Sequence, residues 1–159
     1  MRDELLEAWR TNNRINLFLL DHISAAGLKC TLSKRGGREV ARQFAHVHDV
    51  RVYHLEKRAK DLSKGLTKFQ SKGADKLIPK KSDLKKALTA SSAAIETFLG
   101  DVLEGVPKRR GFNKGIFTTL GYFIAHESHH RGSIFLTLKE SGHKLDNKTA
   151  YAIWGWDQI

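Results

Sequence analysis

Cysteine is almost missing from this sequence: Cys30 is the only one in 159 residues. A single thiol excludes an intramolecular disulfide and any zinc cluster built on cysteine. Proline is nearly as scarce, with two in the chain, so long helices run without obstruction and a β-rich chain full of proline turns is not expected. No apolar run approaches the roughly 18 residues needed to span a bilayer as a helix. The first ten residues, MRDELLEAWR, hold no apolar signal core. A soluble, cytoplasmic protein with no membrane partner is the expectation. Acidic residues are also few, 17 against 28 Lys and Arg, for a formal net charge of +11. Hydrophobic residues make up 40%, enough for one real core. One domain covering residues 1–159 is the natural division.

The charge is concentrated. Residues 57–86 hold eleven Lys or Arg against three Asp, a surplus of eight. Lys64, Lys68, Lys72, Lys76 and Lys80 recur every four residues there. Such a run is most often a solvated face or loop. Phe69 is the one aromatic among these charges, so the stacking platform of a single-strand binder is missing. Nucleic acid is therefore not the expected partner. A non-catalytic basic helical module that binds nucleic acid or another anion stands as the alternative function.

Apolar periodicity predicts four helices. Residues 2–26 set Leu5, Leu6, Trp9, Leu17, Leu20 and Ile23 in one arc, with Asn13 and Asn16 inside it. Residues 28–37 read as a loop ended by Gly36-Gly37. Residues 38–62 carry Val40, Phe44, Val47, Leu55 and Leu62 on one face. A long basic connection, 63–81, follows and contains Pro79. Ser82 is read as the N-cap of a third helix reaching about residue 104, with Asp83 in its first turn. Residues 114–141 form the fourth, closed by Gly142. The tail 143–159, with Trp154 and Trp156, is expected to pack back on the body. The fold class is all-α, a four-helix bundle with a long crossover between helices 2 and 3.

Eight histidines are present, and they cluster. Residues 43–51 read Gln-Phe-Ala-His-Val-His-Asp-Val-Arg, and residues 125–133 read Ala-His-Glu-Ser-His-His-Arg-Gly-Ser. His126 and His130 are four apart, so their imidazoles leave one helix stripe with Cβ atoms about 6 Å apart. That spacing suits two ligands of one metal. His129 points elsewhere and is expected to be exposed. Glu127 and Arg131 fall inside the apolar arc of Ile116, Leu120, Ile124, Ile134 and Leu138. A carboxylate and a guanidinium placed there need each other or a buried polar site. Asn13 and Asn16 make the same demand. His126-Glu127-x-x-His130 also matches the zinc-peptidase pattern H-E-x-x-H. The downstream third ligand of that pattern fails here, since Ser133 stands three after His130 and no histidine stands six after it.

The sequence resembles the DinB/YfiT-like superfamily of bacterial four-helix metalloproteins, over nearly its whole length. The likeness rests on Leu-Leu-Glu-Ala-Trp-Arg and Asn-Asn-Arg-Ile-Asn in helix 1, the His46 stretch in helix 2 and His-x-x-His-His-Arg-Gly in helix 4. It extends to the closing Ser-Gly-His-Lys-Leu-Asp and Trp-Gly-Trp. The usual amide after Arg-Gly is Ser133 here. The resemblance implies a divalent metal held by His46, His126 and His130. Zn or Ni comes first among the metals that suit nitrogen-rich ligation. For helix 2, the local pattern Phe-Ala-His-Val favours His46, while the helical wheel sets His48 closer to the apolar arc. His46 is taken as the ligand. His54, eight residues on, is expected to stand behind the site. Three imidazoles leave an open coordination position. The implied activity is that of a metal-dependent hydrolase or a low-molecular-weight thiol transferase on a small-molecule substrate. No catalytic residue is assigned. Glu127 and Arg131 are the polar candidates beside the ligands, and Asn13 and Asn16 are expected to line the open side. A homodimer is implied, with Ile95, Phe98 and Leu99 of helix 3 as a pairing face.

Overall fold

A computed structural model describes residues 1–70 and 78–159. Four long helices carry the fold: α1 (Arg2–His22), α2 (Val40–Arg58), α3 (Lys81–Leu103) and α4 (Ile116–Glu140). A short α5 (Asn147–Ala152) follows. The described residues contain no strand, only an isolated bridge between Phe112 and Gly115. The fold is an all-α helical bundle. Helix α3 packs on both α1 and α2, and α4 closes the bundle against α2 and α1.

Helices α1, α2 and α4 are shorter than periodicity predicts, for local reasons. Helix α1 stops at His22 because Ile23 is extended, at φ −90 and ψ 129, which keeps its side chain in the core as the chain turns away. Arg38 has φ +59, outside the helical region, so α2 begins at Val40. Ala59, at φ −157, ends it, and Leu62 packs on the core from beyond the helix. Ser82 is not the N-cap of α3. Lys80, just after Pro79, is extended and holds that position, which leaves Ser82 inside the helix and Asp83 in the first turn. Gly115, at φ +99, delays α4 to Ile116. Gly142 takes φ +77 after α4, and the His143 N–H reaches back to the Leu138 carbonyl at 2.8 Å, a Schellman ending.

The core has two apolar ends. One gathers Leu20, Ile23, Val40, Phe44, Leu84, Leu88, Ile134 and Leu138. The other gathers Leu5, Leu6, Trp9, Leu55, Ile95, Phe98, Leu99 and Phe123. Between them lies a layer of buried polar side chains: Asn12, Asn13, Asn16, Arg51, Ser91, Glu127 and Arg131. Ile95, Phe98 and Leu99 are 0% exposed. They face the bundle interior and offer no pairing face, because α3 is packed on two neighbours.

The connection after α2 is tied down by α2 itself. Asp49 accepts the N–H groups of Phe69 and Gln70 at 2.8 and 2.9 Å. His48 sits between the carbonyls of Ala87 and Thr67 at 3.0 and 3.1 Å. Lys72 and Lys76 of the lysine repeat lie outside the described residues. In the tail, Asp146 caps α5 through the Thr149 N–H at 2.9 Å. The tail returns to the body through buried Thr149 and through the Ile159 carbonyl, which accepts from Arg14 Nε at 2.9 Å. Trp154 stays 75% exposed, although it borders a cavity with Phe135 and Gly132 of α4.

Candidate metal centre

The two α4 histidines lie at the border between the buried stripe of Phe123, Glu127, Arg131 and Ile134 and the solvent. Helix α2 brings His46 to the same border. The three side chains offer ligand atoms that all lie within 4.8 Å of one another. His126 Nε2 and His46 Nε2 face each other at 3.3 Å. Ring centroids are 5.3 Å apart for His46 and His126, 4.8 Å for His46 and His130, and 4.7 Å for His126 and His130.

Burial pushes the pKa of His46 and His126 down. His130 is pushed down to about 4, first by burial and then by the other two imidazoles. The cluster is therefore neutral near pH 7, the form a metal requires. His130 Nδ1 is buried and has no hydrogen-bond partner among the described residues. Three neutral imidazoles converging on one point, with a buried nitrogen left without a partner, fit a divalent transition ion.

Around the cluster the walls differ. On one side Tyr122 stacks on His126, with centroids 6.0 Å apart and planes 12° apart. His54 packs against Tyr122, Phe112 and Phe123, and burial together with Arg58 pushes its pKa down to about 4. The other side opens into a cavity of about 370 Å³. Arg38, Arg42, Gln43, Gln70, His129 and Ser133 line it together with His46 and His130. His129 is exposed.

Glu127 and Arg131 do not contact each other as a simple i, i+4 pair. Glu127 takes a two-pronged ion pair from Arg51, Nε to Oε1 at 2.7 Å and Nη2 to Oε2 at 2.8 Å. The amides of Asn12 and Asn16 each donate to Glu127 Oε2 at 2.6 Å. Their carbonyl oxygens accept from Arg131 Nη1 at 2.9 and 2.7 Å. Arg131 Nη2 donates to Ser128 Oγ at 2.7 Å. The two asparagines thus stand between the carboxylate and the second guanidinium. Asn13 accepts from Arg51 Nη1 at 3.0 Å, and the Leu88 carbonyl accepts from the same nitrogen at 3.0 Å. Asn13 and Asn16 therefore belong to the sealed layer. They do not line the cavity.

Arg51 and Asn12 join the layer without being among the expected site residues, although the sequence carries their signal: Arg51 falls midway between Val47 and Leu55 on the apolar face of α2, and Asn12 falls three after Trp9 and four before Asn16. His48 is buried by its carbonyl contacts and lies apart from the cluster.

No curated protein and no solved structure matches the chain. The family model described as the DinB family matches residues 1–154. The matched stretch contains all four long helices, the three clustered histidines and the polar layer, and this chain belongs to the DinB family.

Proposed function

We propose that this protein is a metal-dependent enzyme in which His46, His126 and His130 hold a divalent ion, with Zn or Ni first. The observation that carries the reading is the convergence of three neutral imidazoles beside a cavity large enough for a small substrate. A divalent ion there supplies Lewis acidity, which lowers the pKa of a protic group held at its open position. That chemistry suits hydrolysis or the transfer of a low-molecular-weight thiol, the two activities the family resemblance implies.

The chain's own residues divide the work. The imidazoles stay neutral at physiological pH because burial disfavours their charged forms. Tyr122 and His54 wall one side of the cluster with aromatic rings. Glu127 is 1% exposed and receives hydrogen bonds from Arg51, Asn12 and Asn16. A carboxylate so committed does not serve as the general base of a zinc peptidase. It anchors α4 to α1 and α2, and so fixes His126 and His130 against His46.

The test is metal analysis of untagged protein. About one ion per chain is expected, with binding lost in His126→Ala. A wild-type chain that holds no more metal than His126→Ala after loading and dialysis overturns the proposal.

A further inference from the structure

The cavity beside the cluster has a chemistry of its own. Arg38 and Arg42 both line it, and no acidic side chain does so among the described residues. Glu39, which follows Arg38 in the chain, is already engaged: Oε2 pairs with Arg42 Nε at 2.8 Å and Oε1 accepts the Gly37 N–H at 3.1 Å. Gln43 is 7% exposed and lines the same cavity. Its Nε2 donates to the Arg38 carbonyl at 3.2 Å, which settles which end of the amide is which. Its Oε1 is left buried, with no partner among the described residues. A buried acceptor without a donor is costly, and a ligand that supplies the donor recovers that cost.

We propose that this cavity binds the acid group of a small organic anion that carries a neutral hydroxyl or amide N–H beside that group. The arginines take the acid, and Gln43 Oε1 accepts the neighbouring hydrogen. An ammonium donor is disfavoured, since two guanidiniums already face the space. The bond from Gln43 to the Arg38 carbonyl holds both halves of the subsite in one unit, at a backbone of φ +59 that few non-glycine residues adopt. This names a substrate class for the site proposed above and rests on that reading for the reaction, not for the binding.

Glycolate, acetate and neutral glycolamide serve as probes, titrated into full-length protein by NMR. The protein is freed of metal first, because a hydroxy acid also chelates ions. Glycolate is expected to bind about fivefold or more tighter than acetate, and glycolamide not to saturate. Arg38→Gln, at an exposed position, should weaken both acids about tenfold, as expected for a charge-assisted contact. Gln43→Met should bring glycolate down to acetate, with a thermal melt checking that the chain is folded. His126→Ala should leave glycolate binding intact. Equal binding of glycolate and acetate overturns the proposal, as does an Arg38→Gln chain that binds both as wild type does. Loss of binding in His126→Ala also overturns it, by assigning the anion to the imidazoles. A chain that binds glycolate but never holds metal sinks the enzyme reading alone.

Discussion

Helix α4 carries two polar pairs with the same spacing, one residue out of phase, and their surroundings are opposite. Glu127 and Arg131 point into a layer where carboxylate, amides and guanidiniums satisfy one another across α1, α2 and α4. His126 and His130 point to a border where nitrogens face nitrogens and one buried nitrogen has no partner among the described residues. The sealed pair is complete without any other molecule. The open pair is complete only with something added. Burial alone does not separate a structural polar group from a working one; hydrogen-bond saturation does. The two sets are also joined, because the layer holds the helices that present the imidazoles.

Breaking the sealed side should cost the most. Glu127→Ala leaves Arg51 and Arg131 buried without their counter-charge and is expected to destabilise the fold by about 3–5 kcal/mol in urea denaturation. A loss under about 1 kcal/mol would mean that water reaches the layer and that the contrast is false. The open side should respond to metal instead. Free divalent ion at a hundredfold excess over Kd is expected to stabilise wild type by about 2.7 kcal/mol and His126→Ala hardly at all. Equal shifts in both chains would place the ion elsewhere.

Acid should act next, through the buried imidazoles. His54 and His130 have an ordinary pKa of 6.5 and are pushed down to about 4 in the fold. Between those values the unfolded chain binds protons that the folded chain does not, so stability falls as pH falls through this window and is fully present above 6.5. The melting temperature of metal-free protein should drop across that range, less steeply in His54→Phe. A wild-type profile that is flat from pH 7 to 4.5 would contradict the burial assigned to both rings. The smallest effect belongs to the surface. Lys85 pairs with Asp21 at 2.7 Å, with both side chains about half exposed, and Lys85→Gln should cost about 0.5 kcal/mol or less by thermal melt.

Much of the architecture was legible because apolar spacing is a local property. Leu5, Leu6, Trp9 and Leu20 of α1, with Ile23 just beyond it, lie on one predicted face and are buried, while Leu17 of the same predicted arc is only partly buried. The chain ends of the helices were less legible, since φ +59 at Arg38 and the extended backbone at Ile23 carry no residue signature of their own. Within the site, the spacing of His126 and His130 and the inward position of Glu127 and Arg131 were readable from the helical wheel. The partner of Glu127 was not. Arg131 lies within reach four residues on, yet the ion pair forms with Arg51, 76 residues upstream. Which helix faces which decides that choice, and periodicity is silent on it. Of the cavity arginines, Arg38 belongs to a loop, where no period marks it, while Arg42 stands one turn before His46 on α2.

The asparagine layer has a consequence for alignment. Apolar faces slide with little penalty, because one leucine replaces another at the next turn. A two-pronged guanidinium–carboxylate pair flanked by two directional amides does not. A slip of α1 by one turn, about 5.4 Å, would set one of Asn12 and Asn16 in the other's place and carry the second away, which removes half of the amide contacts to Glu127 and Arg131. The same slip of α2 would part Arg51 from Glu127 and carry His46 away from His126 and His130 by the same step. The polar layer thus acts as a vernier: it sets the axial offset of the helices, and with it the ångström-scale spacing of three side chains that it does not touch.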